Sequence, residues 1–173
     1  AGNVAWEWRA FDHLDNTRYP SALSARAGRS GTHDWTHANA LTWDPTTDRY
    51  LVSLRHQNWV VAVERSTGDI AWRLGDGGDF ELLGGEWFYS QHAPELVDPA
   101  HILVYDNGDD RPTDALYSRA VLYHLDFDAM TAEQIWSWQT AEYTSFLGDA
   151  NLLGNGNVLV CAGGVSGVDP LAR

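Results

Sequence analysis

The most constraining feature of the sequence is a unit of four short strand-like runs that occurs twice in the same order. In residues 36–74 the runs read HANALTW, RYLVSLRH, WVVAVERS and DIAWRL, with turn-forming DPTTD and STGD segments between them. The order recurs from residue 91 as QHAPELV, HILVYDNG, RAVLYHLDF and EQIWSWQ, and it begins again at residue 149. Four short antiparallel strands in about 40 to 50 residues are typical of a β-propeller blade. We therefore predict an all-β protein built of four-stranded propeller blades, with a β-sandwich as the alternative.

The repeat divides the chain into one partial propeller domain over residues 1–173. Residues 1–11 are predicted to form the last strand of a preceding blade, because GNVAWEW matches the fourth run of a unit. Full blades are predicted over 34–75 and 87–140, and the start of a third over 145–173. Since a propeller typically needs about four or more blades to close, about two and a half are too few. We expect further blades, or further copies of the chain, to complete the ring.

Composition narrows the range of partners. The chain has 24 acidic residues against 11 basic ones, all of them arginine, and a formal net charge of −13 at pH 7. Nucleic acids and anionic membrane surfaces need clustered positive charge, so we do not expect either as a partner. No apolar stretch is long enough to cross a bilayer, and Cys161 is the single cysteine, so no internal disulfide is possible. The chain starts AGNVAWEW, without a visible signal peptide or an initiator methionine, and we interpret it as a piece of a longer chain or a processed product.

Histidine and arginine stand at strand ends in this acidic chain. His37 and His92 open the first run of consecutive units, so both are predicted to point towards one axial pocket if first strands line the channel. Arg55 and His56 end the second run of the first unit and are expected near the same rim. The planar fork of arginine fits tetrahedral oxyanions, and a neutral imidazole can act as a nucleophile or an acid–base. This combination favours a site for a sulfate or phosphate ester. The alternative is that these histidines only tie neighbouring strands together by hydrogen bonds.

The acidic segment DNGDDRPTD, residues 106–114, is rich in oxygen ligands. Its spacing does not match a calcium-binding loop, so we interpret it as an acidic turn. No metal site and no cofactor are predicted from the sequence.

The motifs W-x-H-x-N, S-x-R-H-Q, Q-H and D-N-G occur here in this order, and with them the chain resembles the arylsulfotransferase family of PAPS-independent aryl-sulfate sulfotransferases. The resemblance extends from WEWRAFDHLD to SRAVLYHLD. It implies a six-bladed propeller that is exported to the periplasm or secreted. It also implies transfer of a sulfuryl group from an aryl sulfate to a phenolic acceptor by a ping-pong mechanism, without PAPS or another cofactor.

The resemblance also implies roles for individual residues. His92 in the Q-H motif corresponds to the nucleophile that forms a sulfohistidine, and His37 and Arg55 correspond to residues that bind the sulfuryl oxygens. A further histidine of the family has no matching motif here, and we expect it upstream of Ala1. Substrate contacts are also predicted from the other polar residues of these motifs and from nearby aromatic residues, namely Asn39, His56, Gln57, Trp35, Trp59, Trp87 and Phe88.

Two alternative functions remain open at this point. The segment AVERSTGDIAW resembles the tryptophan-docking repeat of quinoprotein dehydrogenases, which are eight-bladed propellers around pyrroloquinoline quinone. That repeat packs blades together, and the match is weaker in the next unit, LDFDAMTAEQIW. The other alternative is a propeller scaffold that binds another protein and catalyses nothing, in which case His37, Arg55 and His92 are incidental.

Overall fold

A computed structural model describes residues 2–26, 31–113 and 115–165. Within these residues the regular structure is almost entirely β, which confirms the all-β part of the predicted fold class. Two four-residue helices, neither of them long or apolar enough to cross a membrane, lie in the segment before the first strand. The elements in chain order are α1 (Ala10–His13), α2 (Ala22–Ala25), β1 (Ala38–Asp44), β2 (Arg49–Leu54), a 3₁₀ turn (Arg55–Gln57), β3 (Trp59–Glu64), β4 (Ile70–Leu74), β5 (Glu81–Gly84), β6 (His92–Asp98), β7 (His101–Asp106), β8 (Arg119–Asp126), β9 (Thr131–Gln139), β10 (Asp149–Leu152) and β11 (Val158–Cys161).

The first sheet is an antiparallel meander in the order β1-β2-β3-β4. Its strands coincide with the four runs of the first repeat unit because polar turn residues end each run. In the β1–β2 turn, for example, the carboxylate of Asp44 accepts the backbone N–H of Thr46 at 2.9 Å. The central strands β2 and β3 are buried along most of their length and read as continuous apolar runs, as strands covered on both faces do.

The second sheet has the order β5-β9-β8-β7-β6, and β6 to β9 form a second antiparallel meander from the second repeat unit. Strand β5 pairs in parallel with β9 and was not predicted, because its glycine-rich surroundings read as a loop. Strands β10 and β11 form a separate antiparallel pair.

The hydrophobic core lies between these sheets. Val60 and Trp72 of the first sheet belong to the same cluster as Val104 and Tyr123 of the second. On the opposite face of the second sheet, a smaller cluster includes Ala150 of the β10–β11 pair. The three sheets therefore stack as layers, with the second sheet in the middle.

The two outer layers leave apolar side chains in solvent. Leu41 and Trp43 on β1 are 64% and 56% exposed, and Leu159 on β11 is 58% exposed. An apolar groove of about 820 Å³ runs along β1 and is bordered by Trp6 and Trp8. Both ends of the stack thus present apolar surface.

Residues 2–9 carry no strand assignment, although the sequence predicted a strand over residues 1–11. The segment is fixed by its tryptophans instead. The indole N–H of Trp6 donates to the carbonyl of Arg65 at 3.1 Å, and that of Trp8 donates to the carbonyl of Gly68 at 2.9 Å. A strand requires a partner strand, and these contacts attach the segment to the β3–β4 turn by side chains alone.

Candidate active site

Four polar residues lie where strands of the first two sheets begin or end. His37 directly precedes β1 and His92 begins β6, whereas Arg55 follows β2 and Asn107 follows β7. Because antiparallel neighbours run in opposite directions, the start of the first strand lies beside the end of the second. All four residues are therefore at the same end of the two meanders.

His92 is a buried imidazole with 8% of its surface exposed. Its Nδ1 lies 2.6 Å from Oδ1 of Asn107, and the backbone N–H of Leu147 points at its Nε2 from 3.3 Å. Burial lowers the pKa of His92, and the nearby Arg55 and His37 lower it further, although the hydrogen bond that the ring donates to Asn107 acts in the opposite direction. The ring is therefore neutral at pH 7 and carries a lone pair, as a nucleophile must.

Arg55 is also buried, with 6% of its surface exposed. One Nη lies 2.7 Å from Nε2 of His56, and the other donates to the carbonyl of Ser145 at 2.7 Å and pairs with the carboxylate of Asp109 at 3.2 Å. Its Nε is buried without a hydrogen-bond partner in the described part of the chain. Such a donor is uncommon, so the guanidinium still has an N–H to offer to an anionic ligand.

The rings of His37 and His56 are stacked, with centroids 4.4 Å apart. His56 is buried, which lowers its pKa, and its Nδ1 donates to the backbone carbonyl of Asp34 at 2.6 Å. His37 is exposed, pairs with the carboxylate of Asp34, and has a backbone φ of 46°. Positive φ is uncommon for a residue other than glycine, and such strain concentrates at functional sites.

Asp34, His37 and His56 also have the chemistry of a metal site. Their ligand atoms all lie within 4.8 Å of one another. The two imidazole Nδ1 atoms are, however, engaged with the carboxylate and the backbone carbonyl of Asp34. A cation bound through these two nitrogens would displace both hydrogen bonds, and Nε2 of His56 already lies 2.7 Å from an Nη of Arg55. The arrangement therefore fits a hydrogen-bonded cluster better than a metal site.

Two amide side chains of the predicted site are used differently. Asn39 donates to the carbonyl of Gln91 at 2.7 Å, which ties β1 to the residue before β6, and its buried Oδ1 has no partner among the described residues. Gln57 donates to the carbonyl of Trp35 at 2.7 Å and accepts from Arg18 at 2.9 Å. Asn39 thus keeps a free acceptor, whereas the amide of Gln57 is occupied at both ends and stabilises the turn after β2.

The aromatic residues predicted to stack on a substrate ring lie in the core. Phe88 is fully buried and packs edge-on against Tyr123, with ring centroids 5.9 Å apart. Trp35 is buried against Phe11 and donates its indole N–H to the carbonyl of Arg18 at 2.7 Å. An aryl group cannot reach either ring without unpacking the core, so we omit both from the site. Trp59 and Trp87, which share this burial, are omitted with them.

Carboxylates of the acidic segment at the end of β7 form ion pairs with nearby arginines. Asp106 is fully buried, and one of its oxygens accepts from Arg111 at 2.6 Å and from Arg119 at 2.8 Å. Asp109 pairs with Arg55. The buried triad of Asp106, Arg111 and Arg119 joins the end of β7, the segment after it and the start of β8. This use of the acidic residues agrees with the interpretation of the segment as a turn.

Three partners of the site were not predicted individually from the sequence. Asn107 belongs to the D-N-G motif, which was noted only as part of a family pattern. Ser145 and Leu147 contribute backbone groups, so their side chains carry no signal that sequence reasoning could have used.

Comparison with known proteins places the chain in a family. The sequence matches the arylsulfotransferase (ASST) family over residues 1–170. It is 25% identical over 155 residues to the arylsulfate sulfotransferase AssT of Escherichia coli O6:H1 strain CFT073, covering 71% of this chain and 25% of that protein. It is 27% identical over 154 residues to the arylsulfate sulfotransferase AssT of Lelliottia amnigena, with the same coverage of 71% and 25%. The chain thus spans a quarter of the length of these relatives, and it belongs to the arylsulfotransferase family.

Proposed function

We propose that the protein containing this chain transfers a sulfuryl group from an aryl sulfate ester to a phenolic acceptor, with His92 as the nucleophile. The observation that carries the proposal is a buried, neutral imidazole beside a buried guanidinium that has an unpaired N–H. An aryl sulfate has the matching groups, since its sulfur accepts a nucleophile and its oxygens accept hydrogen bonds. The family and the names of the relatives support the same reaction.

In the first half-reaction, the lone pair on Nε2 of His92 attacks sulfur. The N–S bond forms while the S–O bond to the aryl group breaks, and the phenolate leaves with the bonding electrons. In the second half-reaction, a phenol gives its proton to solvent, its oxygen attacks sulfur, and the imidazole leaves with its lone pair restored. Donor and acceptor use the same site in turn, so the kinetics are ping-pong and no PAPS is needed.

Arg55 and His37 hold the sulfuryl oxygens in this mechanism. Sulfuryl transfer resembles phosphoryl transfer in spreading negative charge over the equatorial oxygens, so donors fixed in advance lower the barrier. His56 orients Arg55, because its Nε2 accepts one of the guanidinium N–H groups. Asn39 contributes its free Oδ1, which suits the hydroxyl of an incoming phenol.

We also propose that the two meanders are blades of a propeller, with six blades in the complete ring as the family resemblance implies. Both meanders follow the same strand order, and they stack face to face. The apolar side chains left in solvent on β1 and β11 support further blades, or further copies of the chain, on both sides of the stack. A periplasmic or secreted location follows from the same resemblance.

The test is the intact mass of the protein after incubation with p-nitrophenyl sulfate and no acceptor, followed by peptide mapping at neutral or basic pH. It uses the longest natural protein that contains these residues. We expect one sulfuryl group on the peptide with His92, and its loss when phenol is added. His101→Gln is the matched control, because His101 pairs with Asp98 at the opposite end of β7.

Each outcome distinguishes the alternatives. An adduct that persists in His92→Gln, or that maps to another residue, would contradict the assignment of the nucleophile. A folded protein that forms no adduct would favour the non-catalytic scaffold. Activity that depends on added pyrroloquinoline quinone, measured with a redox dye, would instead support a quinoprotein dehydrogenase.

A further inference from the structure

The geometry points to Asn107 as a positioning residue that keeps the proton of His92 on Nδ1 and so places the lone pair on Nε2, the nitrogen that reacts. This inference deepens the proposed function and rests on it. Asn107 is fully buried, and its Oδ1 lies 2.6 Å from Nδ1 of His92. The contact is a hydrogen bond whose direction depends on which end of the amide faces the ring.

The amide of Asn107 has only one possible orientation. Its Nδ2 donates to the carbonyl of Thr144 at 2.8 Å and to the carbonyl of Leu147 at 2.8 Å. Carbonyl oxygens only accept hydrogen bonds, so the NH₂ end must face these two groups. The oxygen end therefore faces His92, and an oxygen at this place accepts the proton of Nδ1. Consistent with this, Nε2 accepts the backbone N–H of Leu147.

Buried hydroxyl groups hold the backbone around Asn107. Ser118 donates to the carbonyl of Asn107 at 2.8 Å and accepts the backbone N–H of Thr144 at 2.9 Å. The hydroxyl of Thr144 in turn lies 2.6 Å from that of Tyr105. Gly108 closes the turn with a φ of 74°, and a Cβ there would lie 2.1 Å from the carbonyl oxygen of Tyr117. Asn107 thus has little freedom to turn away from His92.

This arrangement has a consequence for the reaction. When Nε2 bonds to sulfur, positive charge develops on the ring, and the Nδ1–H that carries part of it remains bonded to Oδ1 of Asn107. An amide oxygen favours this state without placing a full negative charge beside the ring. A carboxylate at the same position would favour the protonated imidazole already in the resting protein and so remove the nucleophile near neutral pH. In the part of the chain that the structure describes, the charged and titratable groups that act on His92 are Arg55 and His37, and both act against its protonation.

Two substitutions test this role, with the labelled ring nitrogens of histidine observed by NMR in the same natural protein. In the wild type we expect His92 to carry its proton on Nδ1. In Asn107→Ala we expect a mixture of tautomers. We also expect a kcat lower by about 10- to 100-fold, which is the effect of removing the hydrogen-bond partner that orients a histidine in metal sites. KM should change much less, because no contact to substrate is removed.

Asn107→Asp tests the role through the pKa of His92, which would not change if Asn107 had a purely structural role. The carboxylate should raise the pKa of His92 by about one unit or more, which shifts the acid limb of the pH–rate profile upwards. Asn155→Asp adds the same charge in the exposed β10–β11 turn and should leave both quantities unchanged. Circular dichroism verifies that each variant is folded.

The results separate this inference from the proposed function. If His92 carries its proton on Nε2 in the wild type, or if both variants keep the wild-type tautomer, pKa and kcat, the role of Asn107 is overturned while sulfuryl transfer stands. If the tautomer is as expected but no sulfohistidine forms, the proton placement stands and the proposed reaction is overturned.

Discussion

Arg55 offers the sharpest test of the site, because its contribution to stability and its contribution to catalysis should differ. The substitution is Arg55→Gln, which removes the charge and the planar fork. In the proposed reaction Arg55 supplies a fixed donor to the sulfuryl oxygens. Removing one such donor typically lowers kcat by about 100- to 1000-fold, or about 3 to 4 kcal/mol of transition-state stabilisation.

The structure predicts a smaller effect on folding. Two buried acceptors, Nε2 of His56 and the carbonyl of Ser145, lose their donor, and each costs about 1–3 kcal/mol if it stays unpaired. Against this, the protein no longer buries a guanidinium, which costs several kcal/mol where the counter-charge is weak. Among the described residues, the one carboxylate in an ion pair with Arg55 belongs to Asp109, at 3.2 Å, and its side chain is 27% exposed. The two effects largely cancel, and we expect a net loss of about 2 kcal/mol or less.

The assay combines single-turnover sulfation of His92 with thermal unfolding in the same natural protein. For a domain of about 150–250 residues, about 2 kcal/mol corresponds to a fall in Tm of about 4–8 °C, and the fall is smaller in a larger domain. Arg73→Gln is the control, because Arg73 forms a half-exposed ion pair with Asp79 and lies on β4. A folded Arg55→Gln protein with sulfation within a few-fold of wild type would refute the role of Arg55. A loss of both folding and activity would show instead that Arg55 is mainly structural.

Two further predictions concern pH and the buried ion triad. Burial, Arg55 and His37 hold the pKa of His92 below its usual value. We therefore expect kcat/KM to stay constant as pH falls to about 6.5 and to decrease only below that pH. A decrease that already begins above pH 7 would contradict a neutral His92 in the resting protein. Asp106→Asn removes the buried carboxylate that Arg111 and Arg119 share and leaves them only longer contacts to the exposed carboxylate of Glu86. It should cost about 3–5 kcal/mol in urea unfolding, far more than Asp79→Asn at a partly exposed pair, and equal losses would contradict the importance of the triad.

The strands could be predicted from the sequence because their signals are local. Alternating or continuous apolar runs separated by turn residues identified β1 to β4 and β6 to β9. Strand β5 was missed because its pairing with β9 depends on residues about fifty positions away rather than on its own pattern. Residues 2–9 were predicted as a strand from their similarity to β4, but similarity of sequence does not supply a neighbouring strand to pair with.

The site could be predicted only in part, because some of its features depend on contacts between residues that are distant in the sequence. His37, Arg55 and His92 could be grouped because each stands at a strand end of a repeated unit. Phe88 and Trp35 were predicted at the site from their aromatic character, which does not reveal whether a ring faces the core or a ligand. The reactivity of His92 depends on which ring nitrogen carries the proton. That depends on the orientation of Asn107, which is set by backbone carbonyl groups that cannot be recognised from residue types.

Residues 144–147 contact both the guanidinium of Arg55 and the His92–Asn107 pair. This segment provides the carbonyl groups that orient Asn107, the carbonyl that binds Arg55, and the N–H that contacts Nε2 of His92. Gly148, which follows the segment, has a φ of 113° and packs against the ring of Tyr105, where a Cβ would lie 2.2 Å from the ring. Since the segment leads directly into β10, the docking of the β10–β11 pair on the second sheet determines where these backbone groups lie. The N–H of Leu147 also occupies the approach to Nε2, so bond formation to sulfur requires that this hydrogen bond be given up. The same short segment therefore binds the guanidinium of Arg55 and contacts the nitrogen that we propose as the nucleophile.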